Sequence, residues 1–320
     1  MCYNNIKIVS QKGRFLTMAE RERALDTNQI TRDYFNELLV EMRHFDGVTP
    51  DTGITLYGEK FSTPVMMAAL SHLKGQGGQG DGMVEMAVGA KMADCVNWAG
   101  MGDIEQFDNI AKTGARSIKI IKPYADESWV LSRMDHAEEV GALAVGMDLD
   151  HSFNSKGEPD VVLGLPMRPR TQKEIEAYVK RTKLPFVIKG VLSAVDAQKC
   201  LDAGVQGIVV SHHHGILPSV VPPLMVLPEI AKVIDGRIPI FVDCGVMNGM
   251  DVFKCLALGA TAVSIGRPVM DPIIANGPQG AADVINAVTT ELKAAMARTC
   301  CGKVSDIDSS LIWRRNGTRL

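Results

Sequence analysis

From residue 64 onward the chain alternates between short apolar runs and amphipathic stretches. The runs fall at 64–68, 94–97, 117–121, 144–148, 185–189, 207–211, 239–243 and 262–266. Each is too short for a stable helix, and most lack the polar alternation of a strand with one wet face. Strands buried on both faces of a parallel sheet read this way. Between them, residues 174–183, 194–203, 224–234 and 250–258 space apolar side chains at helical intervals, and several stop at a glycine, as a helix C-terminus does. This βα alternation predicts a (β/α)8 barrel, with a doubly wound open sheet as the competing architecture.

The first 60 residues are mixed and polar, with helical spacing over 31–43 carried by Tyr34, Phe35, Leu38, Leu39 and Met42. They read as a lead-in covering one end of a barrel that occupies 61–320, the whole forming a single domain. Residues 149–171, long and containing Gly and Pro, form a candidate lid. The tail 306–320, with Trp313, Arg314 and Arg315, packs on a neighbour or on the barrel's outside.

Composition narrows the classes. With 320 residues, 46% hydrophobic and 22% charged, the chain can bury a large core, and its net charge of −3 gives no general attraction to nucleic acid or anionic membrane. The seven cysteines, odd in number and without C-x-x-C spacing, suggest neither a disulfide framework nor a zinc ribbon and point to a reducing, cytoplasmic setting. No stretch has the length of a membrane span, and the opening residues Met1 to Lys7 lack the apolar core of an export signal. The expected partner is a small molecule.

The candidate chemistry centres on Gly207-Ile208-Val209-Val210-Ser211-His212-His213-His214-Gly215, a buried strand that delivers a polar cluster to its C-terminal end. Adjacent residues at a strand end point to opposite sides, so the three histidines converge poorly on one ion and no metal site is expected. A Lys189 ending the apolar Phe186-Val187-Ile188 is costly to bury without a partner, which argues for function. The run Gly75 to Gly80 lacks the Lys-Ser/Thr ending of a P-loop and reads as a loop.

Residues 184–270 resemble the FMN-dependent 2-hydroxy-acid oxidase and dehydrogenase family. That family carries K-G at strand five, S-N-H-G-G-R-Q at strand six, D-G-G-V-R-R-G at strand seven and G-R-P at strand eight. Here these read Lys189-Gly190, Ser211-His212-His213-His214-Gly215-Ile216-Leu217, Asp243-Cys244-Gly245-Val246-Met247-Asn248-Gly249 and Gly266-Arg267-Pro268. The stretches 51–58 and 62–68 are similar to the family's approach to strand one.

The resemblance implies an FMN-dependent oxidoreductase acting on CH–OH. His213 would be the base, suited by an imidazole's pKa near neutrality. Asp148 would orient it and stabilise the imidazolium, with Asp150 a less suitable neighbour. Lys189 would stand beside the flavin and stabilise negative charge on the reduced ring. Ala68, Ala69, Asn97, Lys119 and Ser211 would contact the flavin, and Asp243, Gly245, Gly249, Gly266 and Arg267 would hold its ribityl phosphate. A homo-oligomer, tetramer or octamer, is implied as well.

Several positions depart from the family. Met247 stands for a phosphate-side arginine. Ile216 replaces the substrate-gripping arginine after the histidine, Ile121 replaces a tyrosine of strand three, and the N-terminal Tyr-Tyr segment is absent. A buried carboxylate without a cationic partner costs several kcal/mol, roughly 3–5, so the substrate is expected to be an alpha-hydroxy-acid-like or less charged alcohol unless Lys122, Arg168 or Arg170 reaches it. A flavin-dependent isomerase and a non-catalytic FMN- or metabolite-binding barrel are the alternatives.

Overall fold

The computed structural model describes residue 22 and residues 25–320. Expectations for the first 21 residues lie outside the described part. Eight parallel strands form one sheet: β1 Val65–Met67, β2 Asn97–Ala99, β3 Ser117–Ile121, β4 Ala144–Asp148, β5 Phe186–Val191, β6 Gly207–Val210, β7 Ile240–Val242 and β8 Ala262–Ile265. They pair in the order β1-β8-β7-β6-β5-β4-β3-β2. Between β1 and β2 the sheet closes through the Met67 N–H donating to Val96 O at 3.0 Å and a parallel bridge from Leu70 to Ala99. The architecture is the (β/α)8 barrel, not the open sheet.

Strand alternation sorts the core into two layers. Met66, Val96, Trp98, Ile118, Ile120, Ala144, Val187, Val209, Phe241 and Ala262 fill the barrel interior, while their sequence neighbours pack outward against helices. Burying one large apolar side chain contributes about 1.5–3 kcal/mol, so both layers hold the strands in register.

The helices begin where short polar side chains cap them. Asp26 caps α1 Thr27–Glu37, Asp81 caps α2 Gly82–Met92, and Asp103 and Asp126 cap α3 Ile104–Lys112 and α4 Glu127–Glu139. A Thr171–Glu174 capping box opens α5 Gln172–Arg181, and Ser193 opens α6 Ala194–Asp202. Pro223 starts α7 Pro223–Ile234, Asn248 caps α8 Gly249–Ala257, and α9 Arg267–Arg298 follows β8.

The lead-in departs from its expected form. The helix lies at Thr27–Glu37 rather than 31–43, because from Leu38 the chain becomes a strand that pairs antiparallel with Ile312–Arg314. Helical spacing of Leu38, Leu39 and Met42 is overridden by this tertiary pairing. The helix α1 lies at the C-terminal mouth, where Arg32 forms a bidentate pair with Asp251 at 2.6 and 2.8 Å. A hairpin, Ile54–Leu56 with Glu59–Phe61, closes the opposite end, adding Leu56 and Phe61 to the interior layer. The lead-in thus covers both ends. The 149–171 connection holds a short hairpin, Val161–Val162 with Leu165–Pro166. Among the described residues no helix is long and apolar enough to cross a membrane.

Candidate active site

At the C-terminal ends of the strands, where barrels place their chemistry, lies a cavity of about 670 Å³. Ala68, Ala69 and Leu70 after β1 form its apolar wall, Lys189, His213, Asp243 and Ser264 its floor, and Gly245, Gly266 and Arg267 its far end. A second hollow of about 590 Å³ at the strands' N-terminal ends, lined by Tyr57, Phe107 and Pro185 among others, holds none of these groups.

The floor is a charge array. Asp148, 3% exposed, receives Lys122 Nζ on Oδ2 at 2.6 Å and Lys189 Nζ on Oδ1 at 3.1 Å. Burial raises the Asp148 carboxyl, but Lys189, His213 and Lys122 outweigh it and hold the group well below the usual carboxylate range. Burial likewise disfavours the Lys189 ammonium, and Asp148, Asp243, Asp150 and Cys244 more than reverse that, so Lys189 stays charged.

His213 sits in left-handed backbone, φ 49°, just beyond β6, with its N–H donated to Ser211 Oγ at 3.1 Å. Its Nδ1 lies 2.9 Å from Asp150 Oδ1, 3.2 Å from Asp148 Oδ1 and 3.0 Å from Lys189 Nζ. With two carboxylates on one nitrogen, Nδ1 carries a proton and donates, which leaves Nε2 as the proton acceptor. Burial lowers the His213 pKa, but the hydrogen bonds to Asp148 and Asp150 prevail and raise it above the ordinary histidine value. His151 stands edge-on to His213, ring centroids 4.4 Å apart, and its Nδ1 is 2.9 Å from Asp160 Oδ2.

Ligand atoms of Asp148, Asp150 and His213 lie within 4.8 Å of one another, a spacing a metal could bridge. Two ammonium groups already occupy the Asp148 oxygens, which makes the array a poor cation site. The neighbouring histidines diverge as the strand-end geometry requires: His212 Nε2 is 2.8 Å from Thr31 Oγ1, and His214 Nδ1 is 2.8 Å from Asn28 Oδ1.

Five sequence-derived assignments need correction. Asn97 and Lys119 alternate with the interior Trp98 and Ile118, so they face the helices. Asn97 Nδ2 donates to Ser117 Oγ at 3.0 Å, and Lys119 Nζ donates to Gly100 O at 2.6 Å and lies over the Phe107 ring of α3. Ile121 has the same parity and packs in the outer layer. Gly249 spends its N–H on Glu291 at 2.7 Å, and a Cβ there would lie 2.3 Å from Leu292 N, so its smallness serves the contact of α8 with α9. Ile216 is 40% exposed and does not line the cavity. Ser211, buried at 1%, supports His213 from beneath.

Other residues join the site without having been singled out. Asn28 and Arg32 enter from α1, and His214 and Cys244 stand where the motifs have glycine, at φ 59° and 67°. The broken glycine positions were the available signal. Burial pushes the Cys244 thiol up to about 12, so it is protonated, 3.0 Å from Asp243 Oδ1.

These residues fit FMN. The volume suits a cofactor, the alanine wall can lie against a flat ring, and Lys189 offers a cation at the ring end. At the other end α9 starts at Arg267 with no side chain capping its first turn, and Arg267 faces Asn28 and His214 rather than a carboxylate. A helix N-terminus beside a guanidinium is suited to a phosphate.

Comparison with known proteins agrees. The family model described as FMN-dependent dehydrogenase matches residues 13–177 and 167–314. An L-lactate oxidase from Roseobacter sp. (strain GAI101) is 30% identical over 301 residues, 83% of this chain and 81% of the relative. A glycolate oxidase from Spinacia oleracea is 29% identical, covering 88% of this chain and 86% of its own. A mandelate oxidase crystal structure superposes with a TM-score of 0.81 at 26% identity, covering 92% of this chain and 94% of the other. On this match the chain belongs to the FMN-dependent dehydrogenase family and is an FMN-dependent oxidoreductase acting on CH–OH.

Proposed function

We propose that this chain dehydrogenates a 2-hydroxy carbonyl compound, with His213 as the base, and that it favours an uncharged ester or amide over the free acid. His213 Nε2 takes the hydroxyl proton while Nδ1–H remains held by carboxylate, so the imidazolium that forms is stabilised where it stands. Bound FMN would accept the hydrogen of the carbinol carbon together with its two electrons. Lys189 would place its charge beside the ring, Ala68 and Ala69 would pack on it, and Asp243, Gly245, Gly266 and Arg267 would hold its ribityl phosphate.

One observation carries the substrate preference: Lys122, Lys189, Arg168 and Arg170, the cations available to grip a carboxylate, are already committed. Lys122 and Lys189 bind Asp148, while Arg168 binds Glu174 at 2.5 Å and Arg170 binds Glu174 and Tyr124 O. A substrate carboxylate would have to compete for them. Six free cysteines among the described residues, four of them buried, support a reducing, cytoplasmic residence, and the family resemblance supports a tetramer or octamer.

The test is the visible spectrum of the FMN-loaded protein without oxygen, with matched 2-hydroxy acids, methyl esters and amides. Faster bleaching by the neutral members is expected. Bleaching by acids alone would overturn the preference, and no bleaching by any member would overturn the substrate class.

A further inference from the structure

We propose that His214 is a titratable ligand for the FMN phosphate, standing in for the cation lost at Met247, so that FMN is held more tightly when this imidazole is protonated. Met247 and His214 line the same cavity as Gly245, Gly266 and Arg267. Without His214, the Arg267 guanidinium would face a doubly charged phosphate alone. His214 occupies a motif position that is glycine in the family, at φ 59°, backbone that glycine adopts freely and a histidine only at a cost. A side chain is kept where the backbone favours none.

The ring is placed to work in either charge state. Its Nδ1 meets a donor and an acceptor at once, Arg267 Nη2 at 2.6 Å and Asn28 Oδ1 at 2.8 Å. The Asn28 amide is fixed in that orientation, because its Nδ2 donates to His214 O at 3.0 Å and its Oδ1 also accepts from Arg267 at 3.1 Å. A guanidinium only donates, so with Arg267 on Nδ1 the imidazole is neutral. Once a phosphate draws Arg267 away, Nδ1 takes up a proton and donates it to Asn28 Oδ1 instead. Nε2, which makes no hydrogen bond among the described residues, carries a proton in both states. In the second state the ring brings a positive charge to the cavity end that Met247 leaves without one.

Unlike the missing arginine, this cation depends on pH. Burial and Arg267 hold the His214 pKa below the ordinary histidine value, with Asp26 opposing the shift and His213 adding to it. Those charged groups face it from α9, from the cap of α1 and from its own loop. Arg32, further along α1, is paired with Asp251, and Cys244 after β7 stays protonated while accepting the His214 N–H at 3.4 Å. The ring is thus neutral at pH 7 in the flavin-free protein, and a phosphate beside it would raise its pKa by about 1–3 units. FMN binding takes up a proton across that window, and FMN affinity falls as pH rises through it.

The experiment dilutes FMN-loaded protein and reads the fluorescence of released flavin from about pH 6.5 to about pH 9. It compares wild type, His214→Asn and Met247→Arg, with riboflavin-loaded protein as the control without phosphate. Asparagine tolerates left-handed backbone and does not titrate. The ratio of wild-type to His214→Asn Kd for FMN should rise about tenfold across the range, and the same ratio for riboflavin should stay constant. The phosphate's own second ionisation, at about 6, is common to both proteins and cancels in the ratio. Met247→Arg supplies a permanent charge, so it should tighten FMN more at the alkaline end, where His214 is neutral, than at the acid end. A constant FMN ratio would overturn the proposal, and a riboflavin ratio that rises as much would remove the phosphate from it. Equal tightening by Met247→Arg at both ends would overturn the replacement of the arginine by His214, and this arm decides even if His214→Asn loads no flavin.

Discussion

The two sides of the barrel mouth are built on different terms. From β5 to β8 the strand ends send Lys189, His213, Asp243, Ser264 and Arg267 into one cavity. From β2 to β4 the polar residues are used up within the protein. Lys119 is turned to the helices, Lys122 is locked on Asp148, and His151 is tied to Asp160. The first side is organised to receive a ligand, and the second to fix the charge state of one histidine. Retained cofactor groups beside altered substrate groups therefore reflect two separately built half-sites.

The sharpest way to break this comparison is at Lys189, which joins the sides through Asp148 and Asp243. Lys189→Met leaves Asp148 with one ammonium, Lys122, beside His213, and removes the cation from the ring end. Flavin reduction should fall by about 10²–10³, the usual loss on removing a group that stabilises developing charge. Thermal unfolding should show a loss of roughly 3–5 kcal/mol, as for a broken buried pair. Activity and stability both near wild type would mean that the sides are not coupled through this residue.

His213→Ala removes the histidine whose charge state the second side fixes. Reduction measured by rapid mixing should drop by about 10²–10⁴, with FMN still bound, because Arg267 and the alanine wall are untouched. In wild type the pH profile should rise through a midpoint above the ordinary histidine value, since the neutral ring is the base and its carboxylates raise its pKa. A midpoint below 6.5, the ordinary histidine value, would contradict that electrostatic arrangement.

Arg267→Ala tests the first side. Loss of a charge-assisted contact should weaken FMN binding by about 1.5–3 kcal/mol, read by calorimetry, while substrate-driven reduction of fully loaded protein stays nearly unchanged. A large loss in reduction with unchanged FMN affinity would place Arg267 on the substrate instead.

The same division explains what could be read from the sequence. Eight strands and the motifs of β5 to β8 were legible, because continuous apolar runs and fixed residue spacings are local signals. The site on β2 and β3 was not. There the strand at 94–97 lies instead at Asn97–Ala99, and whether Asn97, Lys119 and Ile121 face in or out depends on alternation that only pairing settles. Gly249 belonged to a motif, but the contact of α8 with α9 that uses it is made across 42 residues of chain. The α1 contribution of Asn28 and Arg32 is likewise long-range and leaves no local pattern.

The smallest expected effect concerns Lys119, because it touches neither half-site. Its ammonium is buried at 4% exposure, and burial, with Arg133 nearby, lowers its pKa to about 7. Unfolding restores an ordinary lysine, so between about 7 and 10.5 the unfolded chain binds more protons than the folded one, and stability rises with pH across that window. Below it the charged group is buried and the cost is largest. Lys119→Met removes this cost but also the hydrogen bond to Gly100 O, worth about 1 kcal/mol. The variant should therefore be more stable than wild type at pH 6, by on the order of 1 kcal/mol, and the advantage should vanish above pH 10. Denaturant midpoints across the range read the difference. A variant less stable at low pH, with flavin reduction impaired, would return Lys119 to the cofactor and move the line between the two sides.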